Sequence, residues 1–534
     1  MKLTKASSNK KSNKSYSVAV LVLFSSLIAA NMGHASTGES NYSICNQAVD
    51  TTEGPIQGVD NDGYCHFYGI PYAAPPVGEL RWKAPQPAQT RNDLLVADQY
   101  GSNCIELITI FPNHHSKPSE DCLYLNIWRP EKEGDYPVML FLHGGAWLLG
   151  SGSWPIYDGR NFAKNHDVVV VTVNYRLGSF GYLYHEKLAN EDPNGSSGNY
   201  GLLDQIAALK WVQQNIDEFG GDKNNVTVFG ESAGGGSVCH FMASSLTSGL
   251  FHKGIMQSGL CDFMINDQTG GAIKGQAFSE AMGCSEAEDE LACLRNLPTS
   301  RIKRAFTSSE FTPHIDGYVL KQSASETIKQ GNFNNVPLMA GNNRAEHRTL
   351  TGFIPTFLIP NFLVNSFAIG NLDEQDYETW KTFYPKENYR GRLFEAYIES
   401  WLDSVLVCST YDALDYASLY QSQVYYYQFD YDQQLLGSLI GGGHGLELPF
   451  VFNSVDLDPV RYIYPKRATA LAETMNAAWA RFAKYGDPSG EGLDWPSYSQ
   501  SQKWRMHFDV ESSKQLTKIE SRCEFWRNQK TTGN

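Results

Sequence analysis

Two kinds of apolar pattern alternate along the chain. Short runs rich in β-branched and aromatic residues, bounded by turn residues, stand at "PVMLFLH" (137–143), "DVVVVTVNY" (167–175), "NVTVFG" (225–230), "VPLMAG" (336–341) and "QVYYYQFD" (423–430). Their apolar character is nearly continuous, which predicts strands covered on both faces of a sheet. Between them apolar positions recur at helical spacing. In "LLDQIAALKWVQQNIDEF" (202–219) Ile206, Leu209, Val212 and Ile216 share one face. Strands alternating with helices predict an α/β fold with a large, mainly parallel sheet. No internal repeat, low-complexity linker or compositional break follows residue 40, so one domain over 36–534 is expected.

The amino terminus has a different pattern. "MKLTKASSNKKSNKSYS" is basic and polar, "VAVLVLFSSLIAA" is apolar, and "GHAS" places small residues at Gly33 and Ala35. This predicts a secretory signal peptide over residues 1–35, cleaved near Ala35, and a secreted or periplasmic mature chain. No later apolar run approaches the length of a membrane span, so none is expected. Ten cysteines in an exported chain predict disulfide bonds.

Composition narrows the function. Of 534 residues, 42% are hydrophobic and 19% charged, an ordinary globular balance. The formal charge is −15 and becomes −20 without the leader. Such acidity excludes a nucleic-acid binder that relies on basic patches. There is no C-x-x-C pair and no H-E-x-x-H, so the zinc signatures are absent. The adjacent His114 and His115 read as a solvated loop, and no metal or organic cofactor is expected.

The candidate chemistry begins at "TVFGESAGGG" (227–236). Gly230-Glu231-Ser232-Ala233-Gly234 is a G-x-S-x-G turn between a strand and a helix-like stretch, the setting that presents a serine hydroxyl as a nucleophile. A serine nucleophile needs oxyanion donors and a base, and the base needs an orienting acid. "FLHGGAWLLG" (141–150) offers the N–H groups of Gly145 and Ala146, and Ala233 after the serine offers a third. His444, in the glycine-rich "GGGHGLELPFVF" (441–452), follows a strand and is the candidate base. For the acid, Glu346 in "GNNRAEHRTL" and Asp316 in "PHIDGYVL" both remain open on spacing. Glu231 either shapes the field near the serine or is a structural buried carboxylate.

Together these segments resemble the type-B carboxylesterase and cholinesterase family of α/β-hydrolases over nearly the whole mature chain. The resemblance runs through "GIPYAAPPVGELRWKAPQP" (69–87), "SEDCLYLNIWRP" (119–130), "HGGAW", "VNYRLGSFGYL" (173–183) and "GNYGLLDQ" (198–205). It continues through "FGGDKNNVTVFGESAGG" (219–235), "QSG" (257–259), "GNNRAEH" and "GGGHGLELPFVF". It implies an α/β-hydrolase fold and a serine carboxylesterase acting on a small-molecule ester. Ser232 is then the nucleophile, Glu346 the acid and His444 the base, with Gly145, Ala146 and Ala233 as oxyanion donors. Alanine stands at 146 where the family often has a third glycine.

The resemblance also pairs Cys104 with Cys122, Cys284 with Cys293, and Cys408 with Cys523. Cys45, Cys65, Cys239 and Cys261 are left, with Cys45–Cys65 plausible and the other two compatible with buried thiols. The first disulfide loop, "IELITIFPNHHSKPSED", lacks the tryptophan with which cholinesterases bind choline. A general carboxylesterase is therefore favoured over a choline-selective hydrolase, and the filled triad positions favour it over a non-catalytic adhesion protein. By resemblance the apolar "TGFIPTFLIPNFLV" (351–364) lies near the mouth of the site, where it contacts substrate or packs the core. The sequence leaves the natural ester and the oligomeric state open.

Overall fold

The computed structural model describes residues 44–106, 117–262, 265–304, 311–351, 372–389 and 391–532. The leader, His114 and His115, most of the first disulfide loop and nearly all of 351–364 lie outside them. The apolar runs become strands of an eleven-stranded sheet. In chain order these are β1 (Val59–Asn61), β2 (Tyr64–Pro71), β3 (Tyr124–Pro130), β4 (Tyr136–Leu142), β5 (Val169–Val173) and β6 (Gly221–Glu231). There follow β7 (Lys253–Gln257), β8 (Leu338–Asn343), β9 (Val424–Phe429), β10 (Trp504–Phe508) and β11 (Ser513–Leu516). Their spatial order is β11-β10-β9-β8-β7-β6-β4-β5-β3-β2-β1. Neighbours from β10 across to β5 are parallel, while β11 on one side and β3, β2 and β1 on the other pair antiparallel. This is an α/β-hydrolase sheet.

The continuous apolar runs follow from two buried faces. In β4, Val138, Leu140 and Leu142 enter one core and Met139 and Phe141 the other. The same division separates Val169, Val171 and Val173 of β5 from its Val170. Successive side chains of a strand point to opposite faces, so a strand covered on both sides carries no polar alternation.

Seven helices matter for the site: α1 (Tyr200–Asn215), α2 (Ala233–Ala243), α3 (Leu393–Leu402), α4 (Cys408–Ala417), α5 (Gly437–Ile440), α6 (Ala468–Tyr485) and α7 (Glu520–Thr532). Helix α1 buries Ile206, Leu209 and Val212 in the first core, and α6 buries Met475, Trp479 and Phe482 in the second. The predicted helix over 202–219 tightens to a 3-10 turn at Ile216–Phe219 and ends at Gly220, whose φ of 72° suits glycine. Between α3 and α4 the chain makes a π-turn, Asp403–Val407. From Ser43 onward the chain is one compact unit.

All ten cysteines are bonded: Cys45–Cys65, Cys104–Cys122, Cys239–Cys261, Cys284–Cys293 and Cys408–Cys523. The pair left as possible thiols, Cys239 and Cys261, instead joins α2 to the segment after β7. Cys408–Cys523 fastens α7 to the start of α4, and beside it Arg522 Nη1 donates to Asp403 Oδ2 at 2.7 Å.

Candidate active site

Strand β6 ends at Glu231 and α2 begins at Ala233, so Ser232 alone makes the turn. Its φ of 56° and ψ of −119° are strained for a residue with a side chain, a cost of about 1–3 kcal/mol. The flanking glycines permit the turn because neighbouring backbone passes too close for a Cβ. A Cβ on Gly234 would sit 1.9 Å from the Leu142 carbonyl oxygen, and one on Gly230 would sit 2.5 Å from the Gly234 backbone. The Ser232 N–H donates to Gln257 O at the end of β7 (2.9 Å), which fixes the elbow to the neighbouring strand.

His444 and Glu346 reach this turn from two other strand ends. Glu346 follows β8, and His444 lies in the loop between α5 and Glu447, after β9. Ser232 Oγ is 2.8 Å from His444 Nε2, and His444 Nδ1 is 2.7 Å from Glu346 Oε2. The other carboxylate oxygen of Glu346 accepts from the Ser258 hydroxyl and from the Asn343 backbone N–H, each at 2.7 Å. The structure thus brings Ser232, His444 and Glu346 into one hydrogen-bonded chain. Asp316, the other acid open on spacing, is engaged elsewhere. It accepts from the Ser196 hydroxyl and from the N–H groups of Tyr318, Val319 and Leu320, which closes a turn.

Gly145, Ala146 and Trp147 all have positive φ, at 111°, 54° and 59°. Three consecutive residues of this kind turn the loop after β4 beside the elbow. Ala146 carries a Cβ at a conformation that glycine adopts without strain. Gly144 also has no room for a side chain, since a Cβ there would meet Glu231 Oε2 at 2.6 Å and Ser232 Cβ at 3.0 Å. Ala233, the third candidate donor, is the first residue of α2 and places its N–H at the positive end of that helix.

Glu231 lies inside the site, with Oε1 3.3 Å from His444 Nε2. Burial, reinforced by the nearby carboxylates of Glu447 and Glu346, pushes its pKa up to about 8. Burial opposes a charged imidazole at His444, but the carboxylates of Glu231 and Glu346 outweigh it and hold its pKa above the ordinary value.

Further site residues escaped the sequence reading. Glu447 is fully buried, and burial raises its pKa. It accepts from Gln257 Nε2 at 3.1 Å and from Asn343 Nδ2 at 2.5 Å. Trp479 Nε1 on α6 donates to Gln257 Oε1 at 3.0 Å. This network ties the ends of β7 and β8 to the His444 loop. Ser258, the serine of the "QSG" segment, has a φ of 47° and aims its hydroxyl at Glu346.

The elbow opens into a cavity of about 580 Å³. Its wall is almost wholly apolar, with Trp401, Val405 and Leu406 on the α3–π-turn side and Ile156, Leu446 and Val460 among the loops. Its polar side chains among the described residues are Ser232, His444, Glu231 and Thr349, with the polar tips of Tyr157, Tyr464, Trp154 and Trp401. Among the described residues, no group of three or more His, Cys, Asp or Glu is placed to hold a metal ion.

Comparison with known proteins places this geometry. The Carboxylesterase family profile matches residues 46–526. The chain is 37% identical over 488 residues to the para-nitrobenzyl esterase of Bacillus subtilis (strain 168), covering 88% of this chain and 96% of that one. It is 35% identical over 479 residues to the fumonisin B1 esterase of Sphingopyxis macrogoltabida, covering 84% of each. Among solved structures, a PNB esterase superposes with a TM-score of 0.78 at 33% identity, covering 90% of this chain and all (100%) of the other. A Geobacillus stearothermophilus carboxylesterase gives a TM-score of 0.78 at 31% identity, covering 90% and 99%. With the family profile spanning almost all of the described chain and relatives matched along most of their own length, the protein belongs to the carboxylesterase family and is a carboxylic-ester hydrolase.

Proposed function

We propose that the chain is an exported serine carboxylesterase that works through an acyl-enzyme, with Ser232 as nucleophile, His444 as base and Glu346 as orienting acid. The observation that carries this reading is the unbroken hydrogen-bond chain from Glu346 through His444 to Ser232 at an apolar cavity. His444 Nε2 takes the Ser232 proton as Oγ attacks the ester carbonyl carbon. The N–H groups of Gly145, Ala146 and Ala233 hold the oxyanion. Collapse breaks the bond to the alcohol oxygen, which leaves with the proton from His444 and leaves an acyl group on Ser232. Water, deprotonated by the same imidazole, then attacks the acyl carbon, and the acid departs as Ser232 regains its proton. Glu346 holds the Nδ1–H tautomer and stabilises the imidazolium in both halves.

Five disulfide bonds support the proposed export, since such bonds persist in oxidising compartments. In this reading residues 1–35 are a cleaved signal peptide and 36–534 one catalytic domain. No helix among the described residues is long and apolar enough to cross a membrane. The complete hydrogen-bonded triad argues against a non-catalytic adhesion role, and the lack of a tryptophan in the first disulfide loop argues against a choline-selective site. Hydrolysis of p-nitrophenyl esters from acetate to palmitate, by the mature chain and by Ser232→Ala, tests the reading. Turnover that the variant loses by several orders of magnitude supports it, and a variant as active as the wild type overturns it.

A further inference from the structure

The leaving alcohol must take its proton from His444, so the alcohol half of the ester lies on the His444 side of the cavity. Ile440 at the end of α5 and Leu446 in the His444 loop belong to that wall, and the segment after them contributes Pro459 and Ile463. Ile463 lines the cavity and is also 43% exposed, so the cavity reaches solvent there. Just outside stand Leu435, Leu439 and Tyr462, exposed by 61%, 43% and 69%. Leu435 N–H donates to Ile463 O at 2.7 Å, which joins the two segments into one rim. Leu436 within it has a φ of 61°, strained for leucine.

Singly exposed leucines are ordinary and need no cause. Here five of the fourteen large apolar side chains exposed among the described residues fall within these two short segments, which separates the rim from scattered exposure. Within the rim Arg461 pairs with Asp458 at 2.5 Å and lies over the Tyr462 ring. The cavity behind it has an almost wholly apolar wall, where a charged alcohol would lose its hydration.

Building on the esterase reading, we infer that this rim is an outer subsite for the alkyl chain of the alcohol, and that the enzyme favours uncharged esters of medium to long alkyl alcohols. The inner wall of Ile440, Leu446 and Val460 holds the first carbons, and the rim of Leu439, Tyr462 and Ile463 holds the distal ones.

The test uses two ester series, with kcat/KM taken below their solubility limits and decyl acetate also carried above its limit, and acid release followed by titration. One varies the alcohol (ethyl, hexyl and decyl acetate), and the other varies the acid (ethyl acetate, hexanoate and decanoate). Leu439→Asp and Tyr462→Asp replace exposed side chains, and circular dichroism checks that each is folded. The inference predicts that the ratio of kcat/KM for decyl acetate to that for ethyl decanoate falls about tenfold in each variant, the worth of one or two methylenes returned to water. An unchanged ratio in folded variants overturns the subsite, and a ratio that rises assigns the rim to the acyl chain instead. If the wild type gains on decyl acetate only once droplets form, the rim docks on a lipid surface and the single-chain subsite is wrong. A wild type inactive on every ester removes the esterase reading itself, and the rim inference with it.

Discussion

Replacing Glu346 by glutamine changes one oxygen to NH2, and the surrounding bonds dictate how the amide must sit. Glu346 Oε1 accepts from the Asn343 backbone N–H, a group that can only donate. An NH2 placed there would oppose that donor and leave a buried N–H unpaired, at about 1–3 kcal/mol. The amide therefore keeps its oxygen toward Asn343 and Ser258 and turns its NH2 toward His444 Nδ1. Nδ1 then becomes the acceptor, and the ring proton moves to Nε2, the atom 2.8 Å from Ser232 Oγ. That tautomer cannot take the serine proton, and the carboxylate that stabilised the imidazolium is gone. A triad whose acid becomes an amide typically loses about 10⁴-fold in kcat, which is about 5 kcal/mol of barrier. The assay is steady-state hydrolysis of p-nitrophenyl acetate across pH by wild type, Glu346→Gln and Glu346→Asp, with thermal melts to show that each is folded. Glu346→Asp keeps the charge and should lose far less. The residual activity of Glu346→Gln should also titrate at lower pH, because removing a negative charge lowers the His444 pKa. A folded Glu346→Gln enzyme with less than a tenfold loss in kcat would refute the assignment of the acid.

Three further outcomes follow from the same geometry. The folded-state pKa of Glu231 is raised from 4.5 to about 8, so its contribution to stability is full below 4.5 and is lost as pH rises through about 8. Glu231→Gln, which cannot ionise, should therefore melt progressively higher relative to wild type between pH 5 and 9; a constant difference would contradict the protonated carboxyl. Gly234→Ala forces a Cβ against the Leu142 carbonyl oxygen and should lower stability by about 1–3 kcal/mol with a marked loss of activity, measured by denaturant unfolding and turnover. Cys408→Ala/Cys523→Ala opens a loop with a sequence separation of 115 and should cost about 2–5 kcal/mol, seen as a lower Tm; an unchanged Tm would show that the bond is not closed in the native protein.

Much of this architecture was legible because it rests on local pattern. The β-branched runs marked β4, β5, β6, β8 and β9 to within a few residues, since strands covered on both faces must be apolar throughout. The turn at Ser232 was legible because its glycines are required by close backbone approach, a constraint visible in composition. The acid was not legible from spacing, because only the fold shows that Glu346 follows β8, next to the strand that leads to His444, while Asp316 closes a turn elsewhere. The resemblance alone separated them. Glu447 and Ser258 were missed because their partners, Gln257, Asn343 and Glu346, lie far away in sequence. The exposed rim at Leu435, Leu439 and Tyr462 carries no signal of its own in the sequence, and only the fold shows that those side chains face water. The pairing of Cys239 with Cys261 was likewise unreadable, since four remaining cysteines allow three connectivities.

The central claim is that Ser232 carries the acyl group between the two halves of the reaction. Rapid acid quenching of the enzyme during turnover of p-nitrophenyl acetate, followed by peptide mass mapping, tests it directly. The account predicts an acetyl group on the peptide containing Ser232, absent in Ser232→Ala together with turnover. Acetyl found on another residue, or turnover retained by Ser232→Ala, would contradict it.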